Sequence, residues 1–138
     1  MRPGYHSVNP YFVVGGVEDF IRFLANTFGA TERGEREMRA DGRIDHAEVQ
    51  IGDSVLMISE ASTATPARPC VNFAYVEDVD NVFRNALSAG ATPIAEPTDW
   101  PWGDRVGGFY DPFDNRWWVA TYLGPTANSH TEHPLAKG

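Results

Sequence analysis

The sequence predicts an α+β protein in which two βαβββ modules form a curved mixed sheet around a cleft. Three observations lead to this prediction: an amphipathic helix pattern that occurs twice, a glycine that ends each helix, and three strand candidates after each helix. A chain of 138 residues is long enough for one domain with a shared core. We expect modules at about residues 9–60 and 71–123, a linker at 61–70 and a mobile tail at 124–138.

The first module begins with a short apolar strand candidate at residues 11–14. The helix that follows has apolar residues at helical spacing, namely Val17, Phe20, Ile21, Leu24 and Ala25. Gly29 ends it, because glycine adopts the left-handed conformation of a helix C-terminus without a steric penalty. Strand candidates follow at 31–39, 46–51 and 54–59, and Asp41-Gly42 suits the first hairpin turn.

The second module repeats this pattern after a strand candidate at residues 71–76. The corresponding helix positions are Val79, Val82, Phe83, Ala86 and Leu87. The tripeptide Gly-Ala-Thr at 29–31 returns at 90–92, and strand candidates follow at 92–95, 105–110 and 116–123. The repetition predicts an internal duplication. Because one helix covers only one face of each sheet, we expect the other faces to line the cleft.

Charge and cysteine content exclude several classes of protein. A net charge of −8 argues against a nucleic-acid binder, which needs a basic surface. The single cysteine, Cys70, rules out a disulfide framework and is typical of a reducing compartment. The N-terminus has no apolar signal core, and no apolar run is long enough to cross a bilayer. We therefore expect a cytoplasmic protein that binds neither nucleic acid nor membranes.

Several segments resemble the vicinal oxygen chelate superfamily, which includes glyoxalases, bleomycin-resistance proteins and dioxygenases, and its PhnB-like branch in particular. They are residues 9–14 (NPYFVV), 41–44 (DGRI), 46–54 (HAEVQIGDS), 76–79 (VEDV), 102–105 (WGDR) and 111–113 (DPF). The resemblance implies the two-module fold and a homodimer. It does not imply one reaction, because this fold supports several chemistries.

The resemblance also bears on metal binding. Metal-dependent members of the superfamily place a His or Glu ligand on the first and last strand of each module. The matching positions here are Asn9, Met57, Val71 and Trp118. None is a carboxylate or an imidazole, and Met57, Val71 and Trp118 cannot supply the several oxygen or nitrogen donors that a hard divalent cation needs. Shifting the alignment by one residue adds only the thiol of Cys70. We therefore predict no metal and no cofactor, which argues against the metal-dependent activities of the superfamily.

All four tryptophans lie between residues 100 and 118. Trp117 and Trp118 are neighbours in a strand candidate, so they point to opposite faces, and the resemblance directs Trp118 into the cleft. Trp100 and Trp102 flank a proline in a loop, where they close either a pocket or an interface. Aromatic rings suit flat or cationic ligands through stacking and cation–π attraction.

Three titratable residues are candidate catalytic groups. His46 begins a strand with Glu48 on the same face; it is either a structural group or a general base that takes a proton beside a carbonyl. Asp104 and Arg105 are adjacent; they form either a local ion pair or a ligand site in which Arg105 binds a carboxylate or carbonyl and Asp104 orients it.

Three interpretations of the function remain open on this sequence. The first is a metal-independent small-molecule binding protein, serving resistance or sequestration, with an aromatic or cationic ligand. The second is a glyoxalase-like lyase or isomerase that uses side-chain acid and base groups instead of a metal. The third is a structural or interaction module with a vestigial pocket. The predicted ligand-binding residues are Asn9, Tyr11, His46, Glu48, Met57, Trp100, Trp102, Arg105 and Trp118.

Overall fold

A computed structural model describes residues 1–125, so the predicted tail lies almost wholly outside the described residues. The first module contains β1 (Tyr11–Val14), α1 (Val17–Phe28), β2 (Thr31–Met38), β3 (Ile44–Ile51) and β4 (Ser54–Glu60). The second contains β5 (Val71–Tyr75), α2 (Val79–Ser88), β6 (Thr92–Asp99), β7 (Asp104–Tyr110) and β8 (Arg116–Tyr122).

Each module forms its own four-stranded sheet, in the order β1-β4-β3-β2 and β5-β8-β7-β6. The first strand of each module pairs in parallel with the last, and the other pairs are antiparallel. The predicted α+β class and the repeated βαβββ order are confirmed.

The two helices begin in different ways. The side chain of Asp78 accepts a hydrogen bond from the amide of Asn81 at 3.1 Å and so caps α2. No side chain at the N-cap position does this for α1, which starts after Gly16. Instead the carboxylate of Glu60, at the end of β4, accepts hydrogen bonds from the amides of Gly16 and Val17. Strand β4 therefore holds the start of the helix of its own module.

Strand β6 is longer than predicted and runs to Asp99. The predicted strand ended at residue 95 and already contained Pro93; the part that was missed contains Pro97, another residue that cannot donate a ladder hydrogen bond. As β6 is an edge strand with register shifts along its pairing with β7, it accommodates both prolines. The extension carries the chain directly to Trp100.

The shared core lies between the helix-bearing faces of the two sheets. Phe12 of β1 stacks on Trp117 of β8, with ring centroids 5.7 Å apart and planes at 12°. Phe28 of α1 also contacts Trp117, and Phe23 contacts Phe109 of β7. Because these faces meet each other, the opposite face of each sheet points away from the shared core.

None of the helices described between residues 1 and 125 is long and apolar enough to cross a lipid bilayer.

Candidate functional site

The outward face of the first sheet carries a group of mostly polar residues, which we call the polar face: Tyr11, His46, Glu48, Met57 and Ser59. Strand register brings them together, because His46 pairs with Ser59, Glu48 pairs with Met57, and Tyr11 pairs with Met57 from the other side. The alternate residues of β4, Leu56 and Ile58, belong to the buried core.

Hydrogen bonds connect these side chains across three strands. Nδ1 of His46 lies 3.1 Å from Oγ of Ser59, which also contacts the hydroxyl of Tyr11. On the other side of the ring, Nε2 of His46 lies 3.6 Å from a carboxylate oxygen of Glu48. A hydroxyl, an imidazole and a carboxylate in this order are the groups that general-base activation of a hydroxyl requires.

The N-terminal segment covers one end of the polar face. Tyr5 donates a hydrogen bond from its hydroxyl to Glu48, and the guanidinium groups of Arg2 and Arg33 lie 4.6 and 5.1 Å from the centre of its ring. The hydrogen bond to Glu48 and its negative charge raise the pKa of Tyr5. A pocket of about 470 Å³ between this segment and β4 is lined by Asn9 and Met57, among others. Two predicted ligand-binding residues therefore share one pocket.

The outward face of the second sheet is different, and we call it the aromatic face: Phe73, Tyr75, Trp102, Asp104 and Trp118. Phe73 pairs with Trp118 across β5 and β8, and its ring lies 5.2 Å from that of Tyr75. The ring of Trp118 lies over Gly108 of β7, where an added Cβ would meet it at 2.5 Å. Glycine at this position therefore allows the indole to lie flat on the sheet.

The two loop tryptophans extend this surface. The Trp100 ring lies 4.6 Å from Trp102, nearly perpendicular to it, and 6.2 Å from Trp118. The predicted ligand-binding residues Trp100, Trp102 and Trp118 therefore form one cluster.

Asp104 is the one charged member of the aromatic face and is only 2% exposed. Its Oδ2 accepts hydrogen bonds from Nε1 of Trp102 at 2.6 Å and from the hydroxyl of Tyr75 at 2.9 Å. Burial, and then the bond to Asp104, raise the pKa of Tyr75. Within residues 1–125, Oδ1 of Asp104 has no hydrogen-bond partner.

The predicted pairing of Asp104 with Arg105 is wrong. Strand alternation sends Arg105 to the helix-bearing face, where it binds Asp80 of α2 at 2.8 Å and Asp99 at 3.0 Å. These hydrogen bonds raise its pKa further. Arg105 therefore ties β7 to α2 and does not face the tryptophans.

The two outward faces are also separate within one chain. The sequence led us to expect one cleft lined by both Met57 and Trp118, but these residues lie on sheets that pack through their opposite faces. The physical reason is that both modules bury their most apolar surface, the helix-bearing side, against each other.

Comparison with known proteins identifies the family. The sequence model of the glyoxalase/bleomycin resistance protein/dioxygenase superfamily matches residues 6–119. The chain belongs to this superfamily.

The individual proteins that match this chain have diverged from it in sequence, as their identities show. An uncharacterised protein of Mycobacterium tuberculosis is 32% identical over 122 residues, covering 80% of this chain and 71% of that protein. Among solved structures, TioX from Micromonospora sp. ML1 has a TM-score of 0.67 at 23% identity, covering 85% of this chain and 100% of TioX. The PhnB protein of Bacillus cereus has a TM-score of 0.66 at 14% identity, covering 84% and 99%. These two likenesses establish the fold.

The metal positions of the superfamily do not fit a metal in this member. The side chain of Asn9 donates to the backbone carbonyl of His6, Val71 is an exposed apolar residue, and Trp118 covers Gly108. Across residues 1–125, no three His, Cys, Asp or Glu side chains are grouped so as to hold a metal ion. The donor set at these positions is therefore unsuited to a hard divalent cation.

Three residues of the two faces, namely Ser59, Phe73 and Tyr75, were not predicted as site residues, and neither was Tyr5 at the end of the polar face. Ser59 meets His46 only through the register of β3 against β4, which no local pattern encodes. Tyr5 lies before the first strand, in a segment without hydrophobic periodicity. Its hydroxyl joins the site through a hydrogen bond to Glu48, which is distant in the sequence.

Proposed function

We propose that this protein is a metal-independent small-molecule binding protein of the glyoxalase/bleomycin-resistance type, serving sequestration or resistance in the cytoplasm. Its ligand is aromatic or cationic and binds the aromatic face. The observation that carries this proposal is the cluster of Trp100, Trp102 and Trp118 beside the buried carboxylate of Asp104. Indole rings and one carboxylate bind organic molecules by stacking, cation–π attraction and hydrogen bonds, without a metal.

Tryptophan fluorescence tests this proposal. A panel of aromatic, cationic and drug-like compounds is titrated into the protein after treatment with a chelator. We expect saturable changes in emission for at least one class of compound, and Trp118→Ala should weaken its binding about tenfold or more, as loss of a stacked ring at a binding site does. A panel without any saturable response would contradict the proposal.

The matched control is Trp117→Phe, the neighbouring tryptophan on the opposite face of β8. Trp117 is 3% exposed and donates its indole N–H to Asp111. Its replacement should lower the stability of the protein but leave ligand affinity unchanged. Equal losses of affinity in both variants would mean that the sheet as a whole, rather than its aromatic face, was disturbed.

We also propose that the protein is a homodimer. The second module exposes large apolar side chains at β5 and at the end of β8, namely Val71, Tyr122 and Leu123, besides Phe73 and Tyr75 of the aromatic face. Exposed apolar residues of this kind are typical of a protein interface, and in such a dimer the ligand lies where the aromatic face meets the partner subunit. Analytical ultracentrifugation should give twice the mass of 15.3 kDa, and Val71→Glu should shift the protein towards the monomer. A monomer at all concentrations would contradict this proposal.

A second candidate function is acid–base catalysis on the polar face, as a lyase or isomerase. The observation that favours it is the contact of His46 with both Ser59 and Glu48. The imidazole, close to two polar partners, is equipped to take a proton from carbon beside a carbonyl and to return it.

Proton exchange tests the second candidate without knowledge of the product. Small α-hydroxy and α-keto carbonyl compounds are incubated with the protein in deuterium oxide, and loss of the α-proton signal is followed by NMR. His46→Gln should abolish catalysed exchange, whereas Glu77→Gln, a change at an exposed residue of the second module, should not. Exchange at the rate of buffer alone would contradict acid–base catalysis on these substrates.

A further inference from the structure

The Asp104 carboxylate is buried, and only one of its two oxygens accepts hydrogen bonds within the described residues. A buried carboxylate loses its hydration, and proteins usually compensate with a cation or with hydrogen bonds to both oxygens. Asp104 is 2% exposed, yet both of its donors, Tyr75 and Trp102, bind the same oxygen, Oδ2. Within the described chain, Oδ1 accepts no hydrogen bond. One oxygen of this buried group is therefore left for a donor from outside residues 1–125.

Neighbouring arginines do not fill this role in the described structure. Arg105 follows Asp104 directly but lies on the opposite face, bound to Asp80 and Asp99. Arg116 lies on the aromatic side of β8, at the far end of the strand from Tyr122, the partner of Asp104. It is bound to the hydroxyl of Tyr110 at 2.8 Å. Asp104 has no ion-pair partner among residues 1–125.

The surroundings of Asp104 favour a positive charge. The hydroxyl of Tyr75 and the indole N–H of Trp102 donate hydrogen bonds to it, and the ring centre of Trp100 lies 4.6 Å from that of Trp102. Aromatic faces attract cations, more strongly where water is excluded. The net charge of −8 adds a long-range attraction for cations. Buried carboxylate, aromatic rings and acidic surface all select the same sign of ligand charge.

We propose that the ligand of the aromatic face is a protonated organic amine whose N–H group donates to Oδ1 of Asp104. This inference rests on the proposed function and narrows its ligand class from aromatic or cationic molecules to protonated alkyl amines that also carry an aromatic group. The ammonium lies against the rings of Tyr75 and Trp102, and the apolar body of the ligand stacks on the remaining tryptophans. Because Oδ1 needs a donor, an ammonium with N–H groups binds more tightly than a quaternary ammonium of similar shape.

Three probes with the same phenyl ring and two-carbon chain separate the contributions of the N–H donor, the positive charge and the aromatic ring to binding. They are 2-phenylethylamine, trimethyl(2-phenylethyl)ammonium and 2-phenylethanol, each titrated into the full chain at neutral pH. The shifts of the four indole N–H signals in NMR spectra report binding, and that of Trp102 reports on Asp104 directly. We expect the amine to bind tightest, the quaternary ion next and the alcohol weakest, with about a tenfold or larger gap between amine and alcohol.

Two variants assign this preference. Asp104→Asn keeps the shape of the side chain and should lower the affinity for the amine to that for the alcohol, with the affinity for the alcohol unchanged. Asp99→Asn removes the same charge from an exposed carboxylate bound to Arg105 and should leave the preference for the amine intact. If Asp104→Asn fails to fold, the order of the three probes on the unmodified protein decides the question.

The outcomes distinguish this inference from the proposed function. Equal affinities for the three probes, or an amine preference that survives in Asp104→Asn, would overturn the amine inference while small-molecule binding stands. The same holds if none of the three binds but another compound of the broader panel does. If nothing in either set binds, both proposals fail.

Discussion

At the scale of single residues, the buried carboxylate of Asp111 organises the turn between β7 and β8. Its Oδ1 accepts the backbone amides of Phe113 and Asn115, and its Oδ2 accepts the side chains of Asn115 and Trp117. Burial raises the pKa of Asp111, although these four donors favour the charged form. The side chain therefore joins a turn to the shared core through Trp117.

Asp111→Asn should destabilise the protein by about 2 kcal/mol, because the new amide N–H₂ faces donors and leaves them unsatisfied. The folded-state pKa of Asp111 is raised, so the stability contributed by its protonation is present below the unfolded-state value of about 4 and is lost as pH rises. The loss of unfolding free energy in Asp111→Asn, relative to the unmodified protein, should therefore be larger at pH 4 than at pH 7. Urea unfolding at both pH values measures it, and a deficit that grows with pH would contradict the expectation.

Gly108 shows how a missing side chain shapes a candidate site. An added Cβ would lie 2.5 Å from the Trp118 ring, closer than any real contact, so Gly108→Ala should push the indole off the sheet. We expect changed tryptophan emission and weaker ligand binding with a stability loss of about 1–3 kcal/mol from overpacking. Gly52→Ala is unsuitable as a control because its φ is positive; Ser54→Ala, at the start of β4, is a neutral comparison. Unchanged emission in Gly108→Ala would contradict this role of the glycine.

At the scale of elements, the strands do more than support the helices. Glu60 is 8% exposed, and its carboxylate receives the first amides of α1 from the end of β4. A negative charge at a helix N-terminus also interacts favourably with the helix dipole. Gly16 has no side chain that could cap α1, so the hydrogen-bond acceptor for the first amides comes from Glu60, a residue distant in sequence.

Glu60→Gln should lower the free energy of unfolding by about 1 kcal/mol, since it weakens a charged cap and turns donors towards the Gly16 amide. Glu77→Gln removes the same charge from an exposed residue and should change stability by less than about 0.5 kcal/mol. Thermal unfolding followed by circular dichroism compares the two variants. Equal shifts would mean that net charge, not the cap, is responsible.

The elements were also what the sequence predicted best. Both helices start where the apolar pattern starts, at Val17 and Val79, because helical spacing and terminal glycines are local signals. Strand β6 was underestimated, because an edge strand tolerates prolines that a local pattern takes as an end. Arg105 lies at the start of β7, as predicted, but its side chain points to the other face of the sheet. The pairing of β7 with β8 determines this, because alternate residues point to opposite faces and Arg105 is not on the face of Trp118.

At the scale of the whole molecule, the two modules share one core, so we expect them to unfold as one cooperative unit. Phe12 of the first module is 1% exposed and stacks on Trp117 of the second. Rings of α1 reach the sheet of the second module. Neither module can therefore unfold without exposing the apolar face of the other.

Phe12→Ala should destabilise the protein by about 3–5 kcal/mol and still give a single unfolding transition. The control is Phe73→Ala in the first strand of the second module, whose side chain lies on the outward face; it is 40% exposed, and its replacement should cost less than half as much. Urea unfolding followed by circular dichroism and by tryptophan fluorescence reports the helices and the second sheet separately. Two separated transitions would show that the modules fold independently.

By itself, the sequence determined the repeated βαβββ order, both helices and the kinship with the superfamily, because these follow from periodic spacing and from motifs along the chain. It placed Asn9, Met57, Trp100 and Trp118 in one ligand site, which the fold divides: Asn9 and Met57 line one pocket, and Trp100 and Trp118 lie together on the other sheet. Only the tertiary structure decided that the helix-bearing faces meet, that Ser59 reaches His46, and that Asp104 lies buried with Tyr75 and Trp102. The physical reason is that cross-strand register and the burial of the largest apolar surface depend on residues distant in sequence, so no local pattern contains them.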